Sequence, residues 1–552
     1  MRKILCFLPV FLILCLITPA WGASASSQQP NIVLFFVDDL DGNELGEAGK
    51  RSPAWGSYTQ MRLKKIAEKN RTKNGYADPR MLTPHIDALA KEGATLQRFY
   101  ISSPVCTASR YTLLTGRLAS RSSFLQKRFP PESIVNITWN SSLSNQETSL
   151  SKTLQQAGYR TALVGKWHNF PFSFKFDKEA RLDHNPDIKE FQKPGMAARM
   201  KANDEKACAE LLDGYGWDFV ERVNIGNSTT NVEWIMEGAL KFLDQCAAKN
   251  AKKKNDQPFF LYVSLPVPHG SYQGNNCNLR TLNPLATSAG LLDSPPKGMP
   301  SHADVLKRVK AAGINPNNAM ATHLDDAIGV VMQRLEKFGM RDNTLVWFIS
   351  DHGTRGKNTC YETGACVPAF ANWPGHIKPG TEITSLTGNQ DIAPTLIEVA
   401  GGKAPADMQI DGRSLLSQLL GQPKPADWRK ALLLEMGHTR AAVTERWKYI
   451  ANRVPPQVAK LMEADIKKAA ATGKDRTVFW SGWDHHSYDA EKEFPAYFDA
   501  DQLYDLSDDL YEQKNLATNP KHQATLKELQ GHLRDLLSTL PNAFGEFSET
   551  SE

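Results

Sequence analysis

Four stretches of the chain are mostly apolar, and each stops at chemistry. Residues 32–37 end at Asp38 and Asp39, and residues 161–164 end at Gly165, Lys166, Trp167 and His168. Residues 259–265 lead into Pro268 and His269, and residues 345–349 end at Ser350, Asp351, His352 and Gly353. Runs this short, without alternation, predict strands buried on both faces, as in a parallel sheet between helix layers. Between the strands, apolar positions recur at helical spacing. Leu150, Leu154 and Ala157 precede Gly158, and Leu324, Ile328, Val331, Met332, Leu335 and Phe338 precede Gly339. In both cases a glycine stands where a helix would end in the left-handed conformation. Thr83 and Pro84 predict another helix start, with Gly93 placed to close it. The expected fold is α/β: a large mixed, mostly parallel sheet between helices, with its ligand crevice beyond the carboxyl ends of the strands.

Those strand ends deliver carboxylates, a lysine and histidines to one rim. Asp38, Asp39 and Asp351 together would raise one another's pKa and destabilise the fold. A hard divalent cation held by oxygen ligands resolves the crowding, which points to calcium or magnesium. Cys106 precedes a predicted helix over residues 107–115, with Gly116 just beyond it. The cysteine therefore lies at or just before a helix N-terminus, where anions bind and a charged nucleophile is favoured. Arg110, one turn on, faces the same way. Lys166 and His168 are two residues apart and project together if the chain stays extended. His269 and Lys357 follow later strand ends. As a set these side chains can surround a tetrahedral anion with positive charge and leave one histidine to protonate a leaving oxygen.

Charge and the N-terminus narrow the class. Over 552 residues, 65 basic and 60 acidic side chains give a net charge of +5, far from the concentrated basic stripe that nucleic-acid binding requires. Arg2 and Lys3 precede an apolar run over residues 4–20, and Gly22, Ala23, Ser24 and Ala25 follow. That is the layout of a secretory signal over residues 1–25. No later segment is apolar enough for stable membrane insertion, so a secreted or periplasmic protein is expected. Cleavage would leave Cys106, Cys208, Cys246, Cys277, Cys360 and Cys366. Cys360 and Cys366 are near enough in sequence to pair, but spacing does not decide pairing.

Cys106-Thr107-Ala108-Ser109-Arg110, followed by Leu113, Leu114, Thr115 and Gly116, is similar to the modification motif of the type I, formylglycine-dependent sulfatases of the alkaline-phosphatase superfamily. The stretch from Gly158 to His168 matches the family's second signature throughout. Asp38, Asp39, the segment from Ser350 to Gly353, Lys357 and the late Leu503, Tyr504, Asp505, Leu506, Asn515 and Leu516 fall in family order, so the resemblance covers nearly the whole mature chain.

The resemblance implies that a maturation enzyme oxidises Cys106 to formylglycine, whose hydrate attacks sulfur and later expels sulfate by elimination. Asp38, Asp39, Asp351 and His352 would hold the metal with residue 106, and Arg110, Lys166 and Lys357 would position the sulfate. His269 would protonate the departing alcohol and His168 would deprotonate the second hydroxyl. His352 stands where many relatives have asparagine. Ala108 replaces the commoner proline, which favours the bacterial radical maturation enzyme and hence a periplasmic location.

The organisation implied is a catalytic α/β domain over residues 29–422 and a C-terminal α+β subdomain with an antiparallel sheet over residues 423–545. A linker is expected at Pro423-Lys424-Pro425 and a strand pair around Glu445 and Arg446. The long polar connection over residues 41–80 and the aromatic, His-rich segment over residues 479–486 are candidate specificity elements, the second suited to stacking on sugar faces. A sulfated carbohydrate is the expected substrate. The competing readings are a phosphodiesterase or phosphonate hydrolase of the same superfamily, and a catalytically silent relative that binds sulfated glycans.

Overall fold

The computed structural model describes residues 29–52, 55, 81–171, 173–182, 187–225, 231–252, 257–269, 278–354, 356–473 and 490–545. The signal segment, Cys277, the aromatic stretch over residues 479–486 and residues 56–80 of the long connection lie outside these described residues.

Eight strands form one sheet. They are β1 (Asn31–Asp38), β2 (Ala94–Leu96), β3 (Arg160–Trp167), β4 (Phe219–Ile225), β5 (Phe259–Pro268), β6 (Thr344–Ser350), β7 (Ala369–Asn372) and β8 (Thr381–Ile383). Their order across the sheet is β8-β2-β7-β6-β1-β5-β3-β4. β6, β1, β5, β3 and β4 run parallel, and β7 alone is antiparallel to its neighbours. The four apolar runs are thus four adjacent central strands, with β1 between β5 and β6. Every residue of β1 is buried, which is why its sequence shows no alternation.

Helices cover both faces. On one, Val33, Phe35 and Val37 meet α1 (Pro84–Lys91), α5 (Val232–Lys252) and α6 (Ala319–Lys337). On the other, Ile32, Leu34 and Phe36 meet α2 (Cys106–Thr115), α3 (Leu150–Gln156), α4 (Met196–Leu212) and α7 (Ile392–Val399). Each large side chain so buried contributes roughly 1.5–3 kcal/mol.

Two sequence readings change. β3 does not stop at Val164 but pairs with β4 as far as Trp167, passing a bulge between Val164 and Gly165 where positive-φ Arg222 is the extra residue on β4. Gly93 does follow the end of α1, but without a positive φ. A Cβ there would lie 2.2 Å from the Ala371 carbonyl oxygen, so close approach of α1's end to β7 is what requires glycine. Gly116, Gly158 and Gly339 do have positive φ, at 68°, 92° and 65°.

A second, antiparallel sheet contains β9 (Leu432–Met436), β10 (Thr439–Val443), β11 (Trp447–Asn452) and β12 (Asp501–Asp505) in that order. The expected strand pair around Glu445 is the β10–β11 hairpin. One face of this sheet packs on α8 (Gln523–Leu537) through Leu529, Leu533 and Leu537. The other, with Leu432, Leu434, Val443 and Ile450, continues the core of the large sheet. The junction is also polar: the Glu435 N–H donates to the Ser102 carbonyl at 2.7 Å, four residues before Cys106. All five described cysteines, Cys106, Cys208, Cys246, Cys360 and Cys366, are free thiols.

Candidate active site

Cys106 is the first residue of α2, with extended Val105 as its N-cap, and the whole helix is buried. Its Sγ lies 3.4 Å from Asp38 Oδ1 and 3.2 Å from His352 Nε2. Asp38 ends β1, and Asp351 and His352 follow the adjacent β6, so two neighbouring strands bring their carboxylates to the helix start. Asp39 has φ 60°, a left-handed conformation that costs most residues roughly 1–2 kcal/mol but that Asp tolerates better. Its N–H donates to Asp351 Oδ1 at 3.1 Å, and the Thr354 hydroxyl donates to its carbonyl at 2.6 Å. These bonds hold the turn that places the side chains of Asp38 and Asp39 in one cluster. Donor atoms of Asp38, Cys106, Asp351 and His352 all lie within 4.8 Å of one another, as do those of Asp38, Asp39, Cys106 and His269.

Basic side chains close in from other elements. Lys166, on β3, bonds Asp38 Oδ2. The Arg110 guanidinium donates to Asp351 Oδ2 at 2.9 Å and lies 3.8 Å from Asp38 Oδ2. Lys357 donates to Asp39 Oδ1 at 2.8 Å. His269 Nε2 is 3.5 Å from Asp39 Oδ2, and His352 Nδ1 is 3.1 Å from Asp39 Oδ1. Nine of the ten sequence candidates are therefore in one buried network. His168 stands at its edge, half-buried, on the wall of a cavity of about 350 Å³ that Thr107 also lines.

The electrostatics follow from burial and these contacts. Burial alone would raise the Asp38 carboxyl, but Lys166, His269, Arg110 and Lys357 hold it well below its ordinary value. Asp39 is lowered too, with Lys357 the strongest opponent of burial. Asp351 is raised, by burial and by Asp38 beside it. Burial and Lys357 depress His269 to about 3, and burial with Lys166 and Arg110 depresses His168 well below its usual range.

Cys106 departs from the sequence expectation. Burial and Asp38 push its thiol up to about 12, so the helix N-terminus does not make a thiolate there. The local dipole is outweighed by desolvation and a carboxylate 3.4 Å away.

The residues fit a divalent cation. Carboxylate oxygens of Asp38, Asp39 and Asp351 form a hard donor set, and His352 adds a nitrogen. Asp351 is still pushed upward by Asp38 despite the basic residues nearby, which is the repulsion that a bound cation removes.

Sequence reasoning missed Tyr262 and Ser264 on β5. Arg110 Nη1 donates to Tyr262 Oη at 3.5 Å and to Ser264 Oγ, and Ser264 Oγ donates to the Lys166 carbonyl at 2.7 Å. Arg110 also lies over the Phe36 ring, 5.1 Å from its centroid. The available signal was a serine inside an otherwise apolar run.

The family model described as Sulfatase matches residues 30–402. Human N-acetylgalactosamine-6-sulfatase is 27% identical over 436 residues, covering 72% of this chain and 67% of that protein. An ulvan-active sulfatase of Formosa agariphila is 25% identical over 527 residues, covering 94% of this chain and 81% of the relative. The solved structure of BT4656 in complex with its substrate D-glucosamine-2-N,6-O-disulfate shares the fold, with TM-score 0.54 and 19% identity over 93% of this chain and 98% of that one.

Proposed function

The chain belongs to the sulfatase family and is a sulfuric ester hydrolase, and from that premise we propose that it cleaves sulfate esters of carbohydrates with a nucleophile made from Cys106. The observation that carries this reading is the convergence on one helix N-terminus. Cys106, Asp38, Asp351 and His352 share one buried cluster, Asp38 and Cys106 share a second with Asp39 and His269, and Arg110, Lys166 and Lys357 stand around them. A neutral, buried thiol is a poor nucleophile. The motif from Cys106 to Arg110 supports an oxidised residue 106 as the working form.

Asp38, Asp39, Asp351 and His352 would hold a divalent cation, calcium with magnesium as the alternative, which when bound supplies a Lewis acid beside residue 106. Formylglycine, made there by a maturation enzyme, supplies a hydrated aldehyde as nucleophile. Arg110, Lys166 and Lys357 bind and orient the sulfate oxygens, and their placement in a water-poor site strengthens each interaction. His269 gives its proton to the sugar oxygen as the S–O bond breaks. Burial first and Lys357 second depress His269 in the free protein, and the negative charge of bound sulfate offsets the second of these and so favours the protonated imidazole. His168 accepts a proton from residue 106 when sulfate leaves.

The carbohydrate reading rests on relatives named for sulfated sugars and on the cavity beside His168. Residues 29–422 form the catalytic domain and residues 423–545 the C-terminal subdomain in this reading. Residues 1–25 direct export to the periplasm or outside, and no helix among the described residues is long and apolar enough to cross a membrane.

The test is an assay of matured protein on matched sulfated and phosphorylated aryl esters and on sulfated saccharides, with peptide mass spectrometry at residue 106. Sulfate cleavage with aldehyde in place of thiol is expected, and Cys106→Ala lowers kcat at least about a thousandfold while unfolding stays cooperative. A preference for phosphorus, or full activity with the thiol intact, overturns the reading.

A further inference from the structure

We propose that Glu233, His302 and His323 form a second metal site, apart from the catalytic cluster, which takes a zinc-class divalent cation and pins three helices together near their starts. The site stands on its own residues and needs nothing of the sulfatase reaction.

Three helices supply the ligands. Glu233 is in the first turn of α5, and His323 is the fifth residue of α6. His302 is the first residue of the helix His302–Ala311, whose N-cap is Ser301. Val305 and Val309 of that helix share one core with Leu324 and Ile328 of α6 and with Ile235 and Met236 of α5. Packing of these apolar faces is what brings residues 233, 302 and 323 to one place.

Each oxygen of Glu233 meets one histidine. His302 Nε2 lies 2.7 Å from Oε1, and His323 Nε2 lies 3.2 Å from Oε2. The two imidazoles meet edge to face, with centroids 5.2 Å apart and planes at 85°. One donor atom from each residue lies within 4.8 Å of the other two, close enough to share one ion with bonds of about 2 Å. A second observation points to a ligand. His323 is 1% exposed, yet neither of its ring nitrogens has a hydrogen-bond partner among the described residues, despite the carboxylate beside Nε2. Buried polar groups are rarely left so, and ligation gives the imidazole the partner it lacks.

The donor chemistry names the ion. Burial alone would raise the Glu233 carboxyl, but His323 and His302 hold it below its ordinary value, so it is the carboxylate that a metal requires. Two imidazoles and one carboxylate select zinc and similar borderline ions. The oxygen-rich set at Asp38, Asp39 and Asp351 suits a harder cation instead. Two cations of different chemistry are thereby sorted to two places. The ion's role is a tether. Asn231, just before α5, already donates to the carbonyls of Pro284 and Ala286 at 2.7 Å and 3.2 Å. The metal adds a tie from the start of α5 to residue 302, farther along the same connection, and to α6.

The experiment titrates zinc into the full chain in excess calcium, which competes for the oxygen-rich cluster. Bound zinc is measured by elemental analysis after equilibrium dialysis, and the thermal midpoint is followed alongside. The wild type is expected to take up about one zinc per chain, with a midpoint that rises with zinc concentration. His302→Ala and Glu233→Gln, on two different helices, are each expected to weaken that zinc by more than about a hundredfold, because changing even the partners of metal ligands costs ~10–100-fold. Both should also lose the zinc-dependent rise in midpoint. No zinc on the wild type overturns the inference. So does equal zinc content with an equal rise in wild type and His302→Ala, which would put the ion elsewhere. Either result leaves the sulfatase reading standing.

Discussion

Gly165→Ala separates the backbone geometry that builds the site from the side chains that fill it. Gly165 has φ 92° and lies opposite Ser264 on β5. An added Cβ would lie 2.0 Å from the Ser264 carbonyl oxygen, 2.9 Å from its carbonyl carbon and 3.2 Å from Ile235 Cγ2. Two of those atoms are backbone, so no change of rotamer relieves the clash. The left-handed backbone costs an alanine roughly 1–2 kcal/mol, and overpacking adds roughly 1–3 kcal/mol. The sum, roughly 2–5 kcal/mol, is a large share of the ~5–15 kcal/mol by which domains are stable. The strands can relieve it only by parting, and the residues at the contact are those that hold the site. Ser264 bonds Arg110 and the Lys166 carbonyl. A shift of about 1 Å there is expected to lower kcat on a sulfated aryl ester about a hundredfold. Thermal midpoints at one fixed heating rate should fall together with kcat. Gly158→Ala is the control, because Gly158 has the same φ of 92° but nothing within 4 Å of its added Cβ. It should lose only the strain, about 1 kcal/mol, and keep its kcat. Wild-type kcat and midpoint in Gly165→Ala would refute the reasoning.

Asp351→Asn should lose metal and activity together, since Asp351 shares the donor cluster with Asp38, Cys106 and His352; full metal content by elemental analysis would contradict the ligand assignment. At the junction with the second sheet, buried Lys448 lies 2.7 Å from Glu362 Oε1 and 2.8 Å from Glu512 Oε1. Burial pushes the Glu512 carboxyl up from 4.5 to about 7, outweighing Lys448. A raised acid favours the folded state when protonated, so this contribution is present below pH ~4.5 and is lost as pH rises through about 7. Wild type should therefore lose up to roughly 3 kcal/mol relative to Glu512→Gln across that window. Parallel stability curves for the two proteins would show that the group does not titrate there.

Much of the fold was legible because a strand buried on both faces must be apolar throughout, and polar residues can return only where it ends. The runs over residues 32–37, 161–164, 259–265 and 345–349 are β1, β3, β5 and β6, and their ends carry most of the site. Less legible was everything that depends on how strands lie against one another. Ser264 reaches Arg110 and the Lys166 carbonyl because β5 sits between β1 and β3, and Gly165 has no room for a Cβ only because a carbonyl of β5 faces it. Trp167, Phe170, Phe174 and Phe176 were in plain view in the sequence, but their convergence with Trp139 and Ser142 on one cavity depends on contacts between distant segments.

The sequence by itself determined which residues are candidates for the chemistry, which strands are buried and which family the chain joins, since composition and order along the chain encode burial and motif directly. Only the tertiary structure decided that Asp38, Asp351 and His352 converge on Cys106 and that Ser264 meets Arg110. Both depend on distances between residues far apart in sequence, and electrostatic energy is set by those distances and by burial, neither of which is written along the chain.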